Sequence, residues 1–253
     1  MKIAVCQYDI QWEDKEANKR RIRELLAASP RKSEIDWLIF SEMTLSAFTM
    51  NTAISELTAE DNAFFSALAA EAGINVSYGG AENGYNNIIT LDRKGNRVNT
   101  HSKIHLYSFG EEDKHYKAGS TLDVFELEGL RVAPAVCFDL RFPYLFWSMA
   151  EKADLFVVIA AWPARRAEHW KNMLYTRATE NQCYCVGVNR TGREGRIEFS
   201  GDSVCYDPMG KVVVDAGTAD GIFVADVPVD PELVAKTRER FPFLKERKDF
   251  PWS

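Results

Sequence analysis

Leu155-Phe156-Val157-Val158-Ile159-Ala160-Ala161 is a run with no polar side chain, and its reading decides the fold. A strand with one wet face alternates apolar with polar residues, whereas this one needs cover on both faces. Helices over one face and a second sheet over the other provide it, so a layered α/β sandwich is expected. Working outward, Leu130 to Cys137 upstream and Tyr184 to Val188 downstream read as further strands, with helical patterns over Tyr144 to Lys152 and Ala164 to Asn181 between them. Strands are also expected at Ile3 to Cys6, Trp37 to Phe40, Asn75 to Gly80, Asn87 to Leu91, Ser203 to Tyr206 and Ile222 to Val227, and helices at Glu13 to Ala28, Glu60 to Glu71 and Pro231 to Arg240. Asp92-Arg93-Lys94-Gly95-Asn96 and Asp207-Pro208-Met209-Gly210-Lys211 are hairpin turns, which makes the sheets mixed.

The 253 residues show no repeat, low-complexity stretch or linker, so residues 1–253 are read as a single domain. With 46% hydrophobic and 27% charged residues the chain is a globular protein rather than a disordered one. A net charge of −6 and the lack of a basic cluster exclude nucleic acid as a partner, and no apolar stretch is long enough for a membrane span. The opening Met1 to Gln7 is too short for a secretory segment. Five cysteines, an odd number without a CxxC pair, fit free thiols in the cytoplasm. The aromatic segment 241–253, from Phe241-Pro242-Phe243-Leu244 to Phe250-Pro251-Trp252-Ser253, is expected to pack on the body or on a partner subunit.

Cys137 stands where a buried strand turns through Phe138-Asp139-Leu140-Arg141-Phe142-Pro143 into a helix. Backbone N–H groups and the helix dipole at such a corner favour a thiolate and bind an oxyanion, although a thiol there equally fills core space. Cys6, Cys183, Cys185 and Cys205 lie within strands and read as packing. Glu42 emerges at the carboxyl end of Trp37-Leu38-Ile39-Phe40-Ser41, where open α/β sheets hold ligands; beside Met43, Leu45 and Phe48 it suits a general base, or it caps a helix. Alternation places His101, Lys103 and His105 on one face, and His105 reads as structural because no metal-ligand spacing accompanies it.

Read with their flanks, Phe40-Ser41-Glu42-Met43, Ser102-Lys103-Ile104-His105-Leu106 and Val136-Cys137-Phe138-Asp139-Leu140-Arg141-Phe142-Pro143 resemble, in order and separation, the Glu-Lys-Cys triad of the nitrilase superfamily of carbon-nitrogen hydrolases. Ala161-Trp162-Pro163, Arg177 to Asn181 and Gly201-Asp202-Ser203 resemble its later blocks. Within the superfamily, the Cys137 and Ala161 blocks look most like omega-amidases, which open the terminal amide of short 2-oxo-dicarboxylic acid monoamides. Ser41 departs from a common proline, and Ala47 from a common glycine.

The resemblance implies an αββα four-layer sandwich that pairs as a homodimer, no metal and no cofactor. It implies Cys137 as nucleophile, Glu42 as acid and base, Lys103 with the Phe138 N–H around the oxyanion, and Glu112 fixing Lys103; as a surface residue Glu112 would instead sit in an acidic loop. Arg141 and Trp162 are candidates for the pocket wall. Arg141, Arg165, Arg166 and Tyr116 are the groups available to a substrate carboxylate, while Arg141 could instead pair with Asp139. Other substrates of the same triad are deaminated glutathione, N-carbamoyl amines and nitriles. A scaffold that binds without catalysis is the reading from another class.

Overall fold

The computed structural model describes residues 1–248. One six-stranded sheet holds β1 (Ile3–Gln7), β2 (Trp37–Ile39), β3 (Asn75–Glu82), β4 (Tyr85–Leu91), β5 (Arg97–Ser102) and β14 (Gly221–Val224), in the order β14-β1-β2-β3-β4-β5. The other holds β6 (Phe125–Leu127), β7 (Leu130–Val136), β8 (Leu155–Ala160), β9 (Tyr184–Asn189), β12 (Val204–Tyr206) and β13 (Val212–Asp215), in the order β13-β12-β9-β8-β7-β6. Each is parallel at its centre, β1-β2-β3 and β7-β8-β9, and antiparallel on both sides. Both expected hairpins are present as β4-β5 and β12-β13. A two-stranded hairpin, β10 (Thr191–Glu194) with β11 (Ile197–Ser200), stands apart from both sheets.

Helices α1 (Lys15–Ala28) and α3 (Ala59–Ala72) lie on the first sheet, and α5 (Pro143–Met149) and α6 (Ala167–Asn181) on the second. The single turns α2 (Thr52–Ser55) and α4 (Glu112–His115) and the helix α7 (Pro231–Arg240) complete the set. Period-two alternation sorts the first sheet into two cores. Ala4, Cys6, Leu38, Val76 and Tyr78 pack under Ile22, Leu25, Phe65 and Leu68 of the helices, whereas Ile3, Val5, Trp37 and Ile39 join the second sheet. On β8, Phe156 packs edge-to-face on Phe146 of α5 and Ile159 faces Gly79 of the first sheet. The chain is an αββα sandwich with two mixed sheets.

Helix ends follow local chemistry. Thr58 and Asp61 form a reciprocal capping box at the start of α3, and Gly73 ends it at φ 66. Asp14 caps α1. Beyond α7, Leu244 is buried, Gln182 Nε2 donates to the Phe241 carbonyl, and Arg247 lies over the Trp147 ring. The rest of the expected tail, residues 249–253, lies outside the described residues.

Candidate active site

Glu42 follows β2, Lys103 follows β5, and Cys137 follows β7, so the first two come from one sheet and the thiol from the other. All three line one cavity of about 460 Å³. Glu42, Lys103, Glu112 and Asn86 are fully buried. Lys103 Nζ donates to Glu42 Oε1 at 2.8 Å and lies 2.9 Å from Glu112 Oε2 and 3.0 Å from Glu112 Oε1. Glu112 Oε2 also accepts the Tyr107 N–H at 2.6 Å. Glu112 is therefore a buried partner of Lys103, not a residue of a surface loop. Glu42 Oε2 accepts the Ala161 N–H at 2.9 Å. Oε1 is taken by Lys103 Nζ and Asn86 Nδ2, so Oε2, with this one N–H, is the freer oxygen of the carboxylate.

The thiol is pushed well above its ordinary range, first by burial and next by the negative charge of Glu42, with Lys103 and the Ala161 N–H opposing. This corrects the expectation that the strand-to-helix corner favours thiolate. The chain does not enter an α-helix at Cys137. It forms a five-residue 3-10 turn, Cys137–Arg141, before α5, and so brings no long helix dipole to the sulfur. Cys137 itself sits at φ 47, a left-handed conformation uncommon for a residue with a side chain. For Lys103 burial lowers proton affinity, but the charges of Glu42 and Glu112 outweigh it and the ammonium is held well above its usual range.

The corner is braced by Asp139. Its carboxylate accepts the N–H groups of Val136 and His105 and contacts the His105 ring, which stacks on Phe142. Asp139 is thus committed, and the alternative pairing with Arg141 is not formed. Arg141 instead lies 4.7 Å over the Trp162 ring, lining the cavity, and among the described residues it has no carboxylate partner. Burial and the nearby Arg166 lower its proton affinity. Phe138, Trp162, Arg165 and Arg166 also line the cavity.

Tyr116 does not. Its hydroxyl donates to the Thr49 carbonyl at 2.6 Å and bonds Ser55 Oγ at 2.7 Å, behind the loop that carries Phe48 and Met50. Its phenol is pushed up to about 12, mainly by burial. Nor does the strand alternation run on to His105, because β5 stops at Ser102; His101 pairs with Asp123 and His105 with Asp139.

Three contributors escape a reading of the sequence. Asn86 bridges the two carboxylates. Asn189 clamps Trp162, accepting its N–H at 2.7 Å and donating to its carbonyl at 3.0 Å, and so fixes the peptide preceding it, whose Ala161 N–H serves Glu42. The β10-β11 hairpin supplies Glu194, Ile197 and Phe199 to the cavity wall. No reactive side chain flags any of them. The one available signal is the buried-strand setting of two asparagines, which demands partners.

Residues 2–239 match the family model described as carbon-nitrogen hydrolase. The chain is 33% identical to the omega-amidase YafV of Escherichia coli K12 over 99% of its own length and 98% of that protein's. It is 28% identical to the 2-oxoglutaramate amidase of Bacillus subtilis 168, with 98% of each chain covered. A solved structure from Xanthomonas campestris, XC1258, described as a CN-hydrolase superfamily protein with an arsenic adduct in the active site, superposes with a TM-score of 0.89 at 29% identity, over 100% of this chain and 99% of that one.

Proposed function

Since this chain belongs to the carbon-nitrogen hydrolase family, we propose that the bond it opens is the terminal amide of a small 2-oxo-dicarboxylic acid monoamide such as 2-oxoglutaramate. It is an enzyme, a hydrolase of carbon-nitrogen bonds other than peptide bonds. The observation that carries the reading is the meeting of thiol, carboxylate and ammonium in one cavity, with the guanidinium of Arg141, which has no carboxylate partner among the described residues, on the same wall. An ω-monoamide has an uncharged amide for the first group and a carboxylate for the second.

The thiol rests protonated. As its sulfur bonds to the amide carbon, its proton passes to Glu42 Oε2, the oxygen left free of Lys103 and Asn86. The carbonyl oxygen becomes an oxyanion that accepts from Lys103 Nζ and the Phe138 N–H, each good donor contributing about 3 kcal/mol. Collapse breaks the carbon-nitrogen bond while Glu42 returns its proton to the nitrogen, so ammonia leaves and a thioester remains on Cys137. Glu42 Oε2 then takes a proton from water as the hydroxide adds to the thioester. The acid departs, and the proton goes back to the sulfur. Glu112 holds Lys103 in place, each of its oxygens accepting from N–H donors. Arg141 holds the distal carboxylate, and Trp162 buttresses Arg141.

The reading takes residues 1–253 as a single hydrolase domain that needs no cofactor, works in the cytoplasm and pairs as a homodimer. Five free thiols support the compartment. Exposed Tyr144, Trp147, Tyr175 and Phe241 support a partner surface.

Ammonia release from 2-oxoglutaramate, 2-oxosuccinamate, N-carbamoyl-β-alanine and a simple nitrile tests the proposal. The two 2-oxo monoamides are expected to dominate kcat/KM. Cys137→Ala is expected to be folded and inactive, and the trapped wild-type enzyme to carry an acyl group on Cys137 by mass spectrometry. Preference for the carbamoyl compound or the nitrile overturns the substrate; turnover by Cys137→Ala overturns the mechanism.

A further inference from the structure

Asn86 opens the buried part of β4 and does not line the cavity. Its Nδ2 donates 2.7 Å to Glu42 Oε1 and 2.9 Å to Glu112 Oε1, the two oxygens that also take Lys103 Nζ. Its backbone carbonyl accepts the Lys103 N–H at 2.8 Å. Its Oδ1 is buried and has no partner among the described residues. A buried carbonyl left unpaired costs about 1 to 3 kcal/mol, so the amide orientation follows from its other end: reversed, the carbonyl would face two carboxylates. Two carboxylates share one ammonium here, and Asn86 Nδ2 is the second donor common to both Oε1 atoms, beside Lys103 Nζ, opposing their mutual repulsion.

We propose that Asn86 is a positioning residue for the reaction: its amide pins Glu42 and Glu112 onto Lys103 and reserves Glu42 Oε2 as the atom that carries the proton. Glu42 Oε1 is surrounded by two donors, Lys103 Nζ and Asn86 Nδ2, and binding a proton there breaks one of those bonds. Oε2 has the single Ala161 N–H. The charged and titratable groups facing Glu42 are Lys103, Glu112, Cys137 and the neutral phenol of Tyr116; Arg141 faces the sulfur from the cavity side. Asn86 is the neutral member that lets the like charges share one ammonium. This inference rests on the catalytic reading above for its kinetic arm alone.

Asn86→Ala removes one donor from the ionised carboxylates. The acid limb of kcat/KM is expected to move to higher pH by about one unit, and kcat at neutral pH to fall at least about tenfold with KM held within about twofold. Asn86→Asp, which is isosteric and reverses the interaction with both carboxylates, is expected to move the limb further in the same direction. Iodoacetamide alkylation of Cys137 against pH needs no substrate, and the other four cysteines are buried; its acid-side inflection is expected to rise in parallel. An unmoved inflection in both variants, both folded by circular dichroism, overturns the proposal whatever the enzyme's substrate. So does a loss of activity fully accounted for by the unfolded fraction. Should wild-type enzyme turn over no amide, the functional reading fails while the alkylation profile still decides the role of Asn86.

Discussion

Gly79 has no side chain because the backbone of Glu42 occupies the place one would need. A Cβ built there meets Met43 N at 2.6 Å, Glu42 Cα at 2.8 Å and Ile159 Cδ1 at 2.8 Å. Thr44 adds two bonds to the same residue, its N–H to the Gly79 carbonyl and its Oγ1 accepting the Gly79 N–H. Gly79→Ala is therefore expected to lower stability by about 2 kcal/mol, as overpacking does, and to cost about tenfold in kcat by displacing Glu42, the base in the proposed mechanism. Equal kcat in folded variant and wild type would show that the carboxylate tolerates the shift. Glu42 and Cys137 were legible in the sequence because each is a charged or nucleophilic group at the end of an apolar strand, where burial is conspicuous, whereas Lys103 follows the polar strand β5 and was legible only through the family resemblance of its flanks. Gly79 and Asn86 were not, since nothing in one strand says which segment faces it. Ala47 lies between: its departure from the family's glycine was visible, and the structure gives the glycine's reason, a φ of 60.

At the scale of elements, α3 is tied to α1 through one carboxylate. Asp61 is 2% exposed, accepts from Lys15 at 2.7 Å and from the Thr58 N–H at 2.9 Å, and lies 2.8 Å from Lys19 Nζ. Burial alone would raise its pKa, but the two lysines and the capping N–H outweigh it and hold the carboxyl at about 2. An unfolded aspartate titrates near about 3.9, so the contribution, about 2 kcal/mol, is complete above that pH and is lost as pH falls towards 2. Urea denaturation between pH 5 and pH 2 is expected to show a smaller loss of stability for Asp61→Asn than for wild type; equal slopes would remove Asp61 from the acid transition. Elements with a strong apolar period were legible, and all nine expected strands and five expected helices are present with ends shifted by a few residues. The strands β5, β6, β10, β11 and β13 were not singled out, although the two expected hairpin turns implied a partner at β5 and at β13. β5 is a polar edge strand, and Thr191-Gly192-Arg193-Glu194 has no apolar face to announce it. Such strands are specified by their neighbours more than by their own composition.

For the molecule as a whole, the aromatic surface around Trp147 and Phe241 leads to an expected dimer, twice the chain mass by light scattering at micromolar concentration; a monomer under those conditions would remove the pairing proposed for that surface. The two-sheet architecture could be read from Leu155 to Ala161, but which strand ends would meet could not, because the contact crosses between leaves that share no local sequence. Glu42 and Lys103 hang from one leaf, and Cys137 and the Ala161 N–H from the other. The gap between the leaves is therefore the reaction coordinate's ruler. In the proposed mechanism a drift of about an ångström in their spacing, far too small to melt either one, parts the Cys137 sulfur from the Glu42 carboxylate and silences the protein while every strand remains paired, so turnover is expected to report on the closeness of the two halves more sensitively than any measure of folding.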